Sequence, residues 1–240
     1  MQATPPAAPP SQRDMRIGPQ TAFAILKKDL LLEFRGKEGF LSNLFFGLLV
    51  LLLFVFTFDP GSEALRQGSA AVFWIAVAFA AVLTLGRTFQ RETEDRAVDV
   101  LSLLPLDPAW IFLGKLLTNF LVILMLMLLI FPLFVVFFDV TLTWRCWLLA
   151  AICPLAAVGL SSVGTLFAAV AESSRLRQLA LSIMMYPISI PVLIAAVQLT
   201  QQSIKPGGQI ENWHWLTLLF IFDAVFLAAA LIIFDYVLGD

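Results

Sequence analysis

The run from Ile111 to Phe137, IFLGKLLTNFLVILMLMLLIFPLFVVF, decides the fold. Its one charged residue is Lys115, and it exceeds the roughly 20 apolar residues that an α-helix needs to cross a bilayer core. The apolar residues are continuous rather than alternating, which predicts a helix and excludes a strand of a membrane barrel. Five comparable runs accompany it: Phe40 to Phe58, Ser69 to Gly86, Trp144 to Val170, Leu179 to Leu199 and Leu216 to Leu238. The sequence therefore predicts an all-α membrane protein with six transmembrane helices. Pro132 and Pro154, inside the third and fourth runs, predict a tilt or kink there.

Composition agrees. Of the 240 residues, 60% are hydrophobic and 13% charged, against about 25% charged in a soluble domain. A net charge of −2 argues against a nucleic-acid partner and says nothing of a membrane one; the apolar composition makes membrane lipid the expected surroundings. Three segments follow: residues 1–20, rich in Pro, Ala, Gln and Ser, as a disordered cytosolic tail; residues 21–38 as an amphipathic interface helix; residues 39–240 as the six-helix domain. In the second segment Ala22, Phe23, Leu26, Leu30 and Phe34 recur at helical spacing, with Lys27, Lys28, Arg35 and Lys37 elsewhere on its surface.

Positive charge predicts the orientation. Six Lys and Arg precede the first span, Arg87, Arg91, Arg96 and Lys115 accompany the second loop, and Arg175 and Arg177 the fourth: twelve of 15 on one side. Arg66, Arg145 and Lys205 fall on the other. The positive-inside rule then places both termini in the cytoplasm of a bacterial inner membrane.

Chemistry of the chain's own is not expected. Gly114-Lys115 has Ala109 where a phosphate-binding loop needs its first glycine and Leu116 where it needs Ser or Thr. A single histidine, His214, excludes bis-His haem ligation and an HExxH protease, and no nucleophile-elbow motif occurs. Cys146 and Cys153, seven residues apart, lie about 10 Å apart along a helix, too far for a disulfide, and read as packing residues. No catalytic residue, metal site or tightly bound cofactor is expected.

Polar residues in and beside the spans are the remaining candidates. The second loop carries Glu92, Glu94, Asp95, Arg96 and Asp99, with Arg91 to Asp95 and Glu92 to Arg96 at the spacing of a solvated helix, and ends in Leu103-Leu-Pro-Leu-Asp-Pro108. Such a helix at a fixed distance from the bilayer suits docking of a cytosolic motor. Asp223 lies deep in the last span and is expected to be buried in a real role; Asp235 lies near the inner end. Lys115 is expected to snorkel to the interface rather than to neutralise Asp235. Trp213-His214-Trp215 reads as an interfacial belt, and His214 alternatively as an axial haem ligand. Ala157, Ser161 and Thr165, with Gly159 and Gly164, allow close helix approach, and Pro187 and Pro191 predict a kinked or unwound fifth span.

Taken in order, Glu92 to Ser102 running into Leu103-Leu104-Pro105-Leu106-Asp107-Pro108, Lys115 soon after, and Ser182-Ile183 with Pro187-Ile188-Ser189-Ile190-Pro191-Val192-Leu193-Ile194 resemble the CcmB family. That family is the membrane subunit of the Ccm haem-exporter complex of c-type cytochrome maturation. The resemblance covers about residues 21 to 238. It implies a type-2 ABC exporter permease-like fold and a CcmA-like ATPase, a CcmC-like haem-handling protein and a small CcmD-like subunit as partners; a second copy of the chain is a further candidate partner, with the stoichiometry open. It further implies haem as a transient cargo, and ATP acting only through the partner. Two alternatives stay open: a permease of this architecture for a lipid, polysaccharide or drug, and a non-transporting scaffold for the ATPase.

Overall fold

The computed structural model describes residues 18–58, 62–88, 108–140, 144–171, 176–205 and 213–238. The loop residues Glu92, Glu94, Asp95, Arg96 and Asp99 lie outside the described residues, as does the tail 1–17; Asp235 lies within the last helix, its side chain outside them. Among the described residues the elements are α1 (Gly18–Arg35), α2 (Lys37–Thr57), α3 (Glu63–Leu85), α4 (Pro108–Phe137), a 3-10 turn (Trp144–Leu148), α5 (Leu149–Val170), α6 (Arg177–Ile204) and α7 (His214–Leu238). Six of them, α2 to α7, are long and apolar enough to cross a membrane, and they coincide with the six runs read from the sequence.

α1 is the amphipathic lead-in. Gly36, at φ −86° and ψ 55°, breaks the helical path, so Lys37 and Glu38 open α2 instead of closing α1. α1 packs chiefly on the first turns of α4. Ala22 is buried there while Phe23, Leu31 and Phe34 stay exposed beside Lys27 and Lys28, as in a helix lying along a lipid surface.

The helices sort by side-chain size. α3 and α5 occupy the middle because they are rich in Ala, Gly and Ser, which bring neighbouring backbones close. Ala157, Ser161 and Thr165 of α5 are all fully buried, as their four-residue spacing predicts. α2 sits at an edge and buries a single stripe, Phe40, Asn43, Gly47, Val50 and Leu51, at the spacing of one helix face. Its other side presents Phe45, Leu49, Leu53 and Phe56 outward, where lipid tails are as apolar a solvent as the core. A ring cluster, Phe73–Phe134 at 5.0 Å and Phe134–Phe138 at 5.4 Å between centroids, closes α3 on α4. Trp74 Nε1 donates to Thr200 Oγ1 at 2.9 Å, joining α3 to α6.

The two prolines of the fifth span leave its helix unbroken. α6 continues as α-helix from Arg177 to Ile204 through Pro187 and Pro191, with no unwound segment. Four residues apart, both prolines lie on the exposed stripe that also carries Ile183, Ile190 and Ile194, so the missing N–H groups and the ring crowding fall on one side. The opposite stripe, with Leu181, Met185, Val192, Ala195 and Ala196, holds the helix to its neighbours. Pro132 and Pro154 are likewise accommodated inside α4 and α5.

Candidate functional site

The end of the bundle that carries α1 concentrates its polar contacts. Gly114 of α4 makes this possible: a Cβ there would stand only 2.9 Å from the Ala22 carbonyl oxygen and 2.9 Å from Ile25 Cβ, so α1 rests directly on α4 at this glycine. The next residue, Lys115, is thereby covered and only 1% exposed. Its ammonium lies 3.6 Å from Asp29 Oδ2 of α1, and Lys28 lies 3.2 Å from Asp29 Oδ1. Snorkelling is therefore corrected. The stem does not reach for water because α1 lies across its path and brings a carboxylate to it.

From Lys115 the contacts continue inward. Its Nζ donates to the Thr88 carbonyl at 3.2 Å. The Thr88 hydroxyl donates to Asn119 Oδ1 at 3.1 Å, and Asn119 Nδ2 donates to Thr165 Oγ1 at 2.8 Å. Beside this chain Asn43 Nδ2 donates to Thr84 Oγ1 at 2.9 Å. Asp29, Lys115, Thr88, Asn119 and Thr165 thus tie α1, α4, the end of α3 and α5 into one polar relay. Thr88 is its pivot, held by both carbonyl and hydroxyl, and it is the last described residue before residues 89–107.

Sequence reading passed over most of this relay. Asn43 and Asn119 stand out as amides in apolar runs, where a buried polar side chain signals an interhelical bond. Asp29 gave no comparable signal, because one carboxylate among the lysines of a surface helix reads as solvated.

Asp223 of α7 is buried at 6% exposure, as its depth suggests. Its surroundings are the reverse of those of Lys115. A Cβ on Gly159 of α5 would stand 2.6 Å from Asp223 Oδ1 and 3.0 Å from Val192 of α6, so the carboxyl group occupies the space that the glycine leaves between three helices. Neither oxygen has a hydrogen-bond partner among the described residues, and the buried Ser189 hydroxyl of α6, one turn from Val192, has none either.

His214 begins α7 and is exposed. It lies at one end of a shallow apolar groove of about 430 Å³ between α6 and α7, bounded by Pro191 and by Phe222 and Phe226, whose rings stack at 4.3 Å. Trp213 and Trp147 are exposed near the same membrane level, as an interfacial belt requires. Cys146 and Cys153 are free thiols packed against the core.

Comparison with known proteins bears on the whole chain. The family model described as CcmB protein matches residues 20–236. The chain is 28% identical to Heme exporter protein B of Rhodobacter capsulatus over 182 residues, covering 76% of this chain and 83% of that protein. It is 30% identical to Heme exporter protein B of Paracoccus denitrificans over 171 residues, 71% and 78% of the two chains. The protein of the same name from Pseudomonas aeruginosa is 28% identical over 190 residues, 78% and 84%.

Proposed function

The chain belongs to the CcmB protein family, and from that premise we propose that it is the membrane subunit of an ABC-type haem exporter complex serving c-type cytochrome biogenesis. The observation that carries this reading is the match over residues 20–236 together with relatives named Heme exporter protein B along most of their length. The chain is not itself an ATPase: a CcmA-like subunit hydrolyses ATP, and a CcmC-like haem-handling protein and a small CcmD-like subunit complete the assembly. The Lys and Arg distribution supports placing it in the bacterial inner membrane with both termini cytoplasmic.

Motion then enters through the loop 89–107. The double grip on Thr88 supports this, because a loop whose root is held by Lys115 and Asn119 moves with α1, α4 and α5 and not independently of them. Glu92, Glu94, Asp95, Arg96 and Asp99 are the residues assigned to the ATPase contact. On the opposite end His214 is assigned to haem: imidazole is a common axial ligand, and the apolar groove beside it suits a flat macrocycle.

Deletion of the gene followed by haem staining of c-type cytochromes tests the function. Loss of staining, restored by the wild-type chain and accompanied by co-purification of an ATPase, is the expected result. Undiminished c-type cytochromes would overturn it in favour of another cargo such as a lipid, polysaccharide or drug. Full maturation with an ATPase unable to hydrolyse ATP would instead identify a scaffold.

A further inference from the structure

Asp223 stands at the middle of the membrane span His214–Ile233. It shares the buried stripe of α7 with Leu219 and Ala230, and the helices packed chiefly on α7 are α4, α5 and α6. Gly159 of α5 leaves the room for its carboxyl group: a Cβ there would stand 2.6 Å from Asp223 Oδ1 and 3.0 Å and 3.4 Å from the two methyl carbons of Val192. The group is thus seated between a glycine and a valine, away from either end of the span.

An ionised carboxylate in this seat needs cations or hydrogen-bond donors, and among the described residues neither oxygen meets one. α5 carries no charged residue, and the hydroxyls of Ser161 and Ser162, within a turn of Gly159, both donate to the Val158 carbonyl, at 3.0 Å and 2.6 Å. The one cation of α4, Lys115, is turned to Asp29 and to the Thr88 carbonyl at the α1 end. On α6, Arg177 lies fifteen residues before Val192 and Lys205 thirteen after it, about 22 Å and about 20 Å along the axis. On α7 itself His214 lies nine residues before Asp223, about 14 Å away, and Asp235 and Tyr236 follow twelve and thirteen residues after it. Of the other titratable groups on these helices, Tyr186 of α6 packs its ring on Phe79 of α3 at 5.6 Å, and Cys153 stands six residues before Gly159, about 9 Å along α5.

A proton does for this group what no neighbouring residue does. The neutral acid has no charge to compensate, and its O–H can be given to a helix carbonyl or to the buried Ser189 hydroxyl one turn from Val192, itself unengaged among the described residues. We propose that Asp223 is a proton-binding site within the membrane, holding its proton as a neutral carboxylic acid in this conformation. The site stands whatever the cargo. Such a group is a target for a hydrophobic carbodiimide. The acid proton passes to one carbodiimide nitrogen, the carboxyl oxygen bonds to the central carbon, and the acyl group then shifts to nitrogen as an N-acylurea, with nothing released; at a water-exposed carboxyl group the first adduct is hydrolysed instead. The shallow groove between α6 and α7, lined by Pro191, Phe222 and Phe226, lets the reagent approach from the lipid.

The test uses the full-length chain, purified with its partners in nanodiscs at neutral pH. The infrared spectrum of the wild type minus that of Asp223→Asn should show the carbonyl-stretch band of a carboxylic acid, moved to lower frequency in deuterated water, and no carboxylate band. Treatment with dicyclohexylcarbodiimide, followed by peptide mass spectrometry, should place an N-acylurea on Asp223 and leave the exposed Asp139 unmodified. Asp223→Asn should lose the adduct. Asp223→Glu, which keeps an acid at the same helix position, should recover both the band and the adduct, and this separates a lost proton site from a damaged fold. A carboxylate band in place of the acid band would overturn the proposal, and so would an adduct yield at Asp223 no higher than at Asp139.

Discussion

Lys115 and Asp223 are the charged side chains that the described structure buries most deeply, and their surroundings are opposite in kind. Lys115 is met by a carboxylate and a carbonyl and belongs to a relay across four elements. Asp223 rests in the hollow above Gly159 with neither oxygen engaged. A buried charged group with its partners in place helps hold the helices together, whereas a buried carboxyl group without them costs free energy in this conformation. The α1 end is thus tied together by polar contacts, while the α5–α6–α7 junction holds a carboxyl group that none of the described residues engages.

The largest expected effect falls on the engaged charge. Asp29→Asn removes the carboxylate from a lysine that cannot reach water, and should cost about 3 kcal/mol, seen as lowered thermal stability in mild detergent. Lys115→Met should cost less, because Asp29 is partly exposed and keeps Lys28 beside it. The double variant should fall near Lys115→Met, the apolar replacement being tolerated once no lone charge remains. Equal, independent losses from the two single changes would break the pairing of Lys115 with Asp29 and return that lysine to the interface.

An effect of similar size, on assembly and not on stability, is expected at the segment that follows Thr88. Reversing Glu92, Glu94 and Asp95 to Lys should weaken co-purification of the ATPase by about a hundredfold, since like charges brought together at an interface cost on the order of 3 kcal/mol. Insertion should be unchanged, because added positive charge favours the same orientation. Undiminished ATPase capture across a range of salt concentrations would move the dock to α1, the other element joined to the relay.

What could be read from the sequence follows the same division. Continuous apolar runs determine spans by length alone, so α2 to α7 were legible from residues 40–238 without knowing any contact. The small residues of α5 were legible too, because Ala157, Ser161 and Thr165 repeat along one helix face. Pairings between distant segments were not. That Lys115 is covered depends on Gly114 admitting α1 at Ala22 and Ile25, 92 and 89 residues earlier in the chain, and composition carries no trace of such an approach. That α6 runs unbroken through its two prolines was not legible for a related reason: their cost depends on which side of the helix they face, and that is decided by packing.

The smallest effect on stability, and the sharpest test of the comparison, is Asp223→Asn. The amide keeps the size of the carboxyl group and so preserves its fit above Gly159 and beside Val192. No hydrogen bond is lost among the described residues, because neither oxygen accepts one. Stability should therefore change by less than about 1 kcal/mol, in contrast to the loss at Asp29, and assembly with the ATPase should be intact. If the carboxyl group takes part in the working cycle, cytochrome c maturation should nevertheless fall, because an amide can neither ionise nor give up a proton. Asp223→Glu should stand apart from it, restoring the charge but crowding the hollow against Gly159, so that stability drops while some maturation survives. If Asp223→Asn instead matures cytochromes at the wild-type level, the carboxyl group is only a space-filling neighbour of Gly159. The two buried charges would then differ in their partners alone and not in purpose.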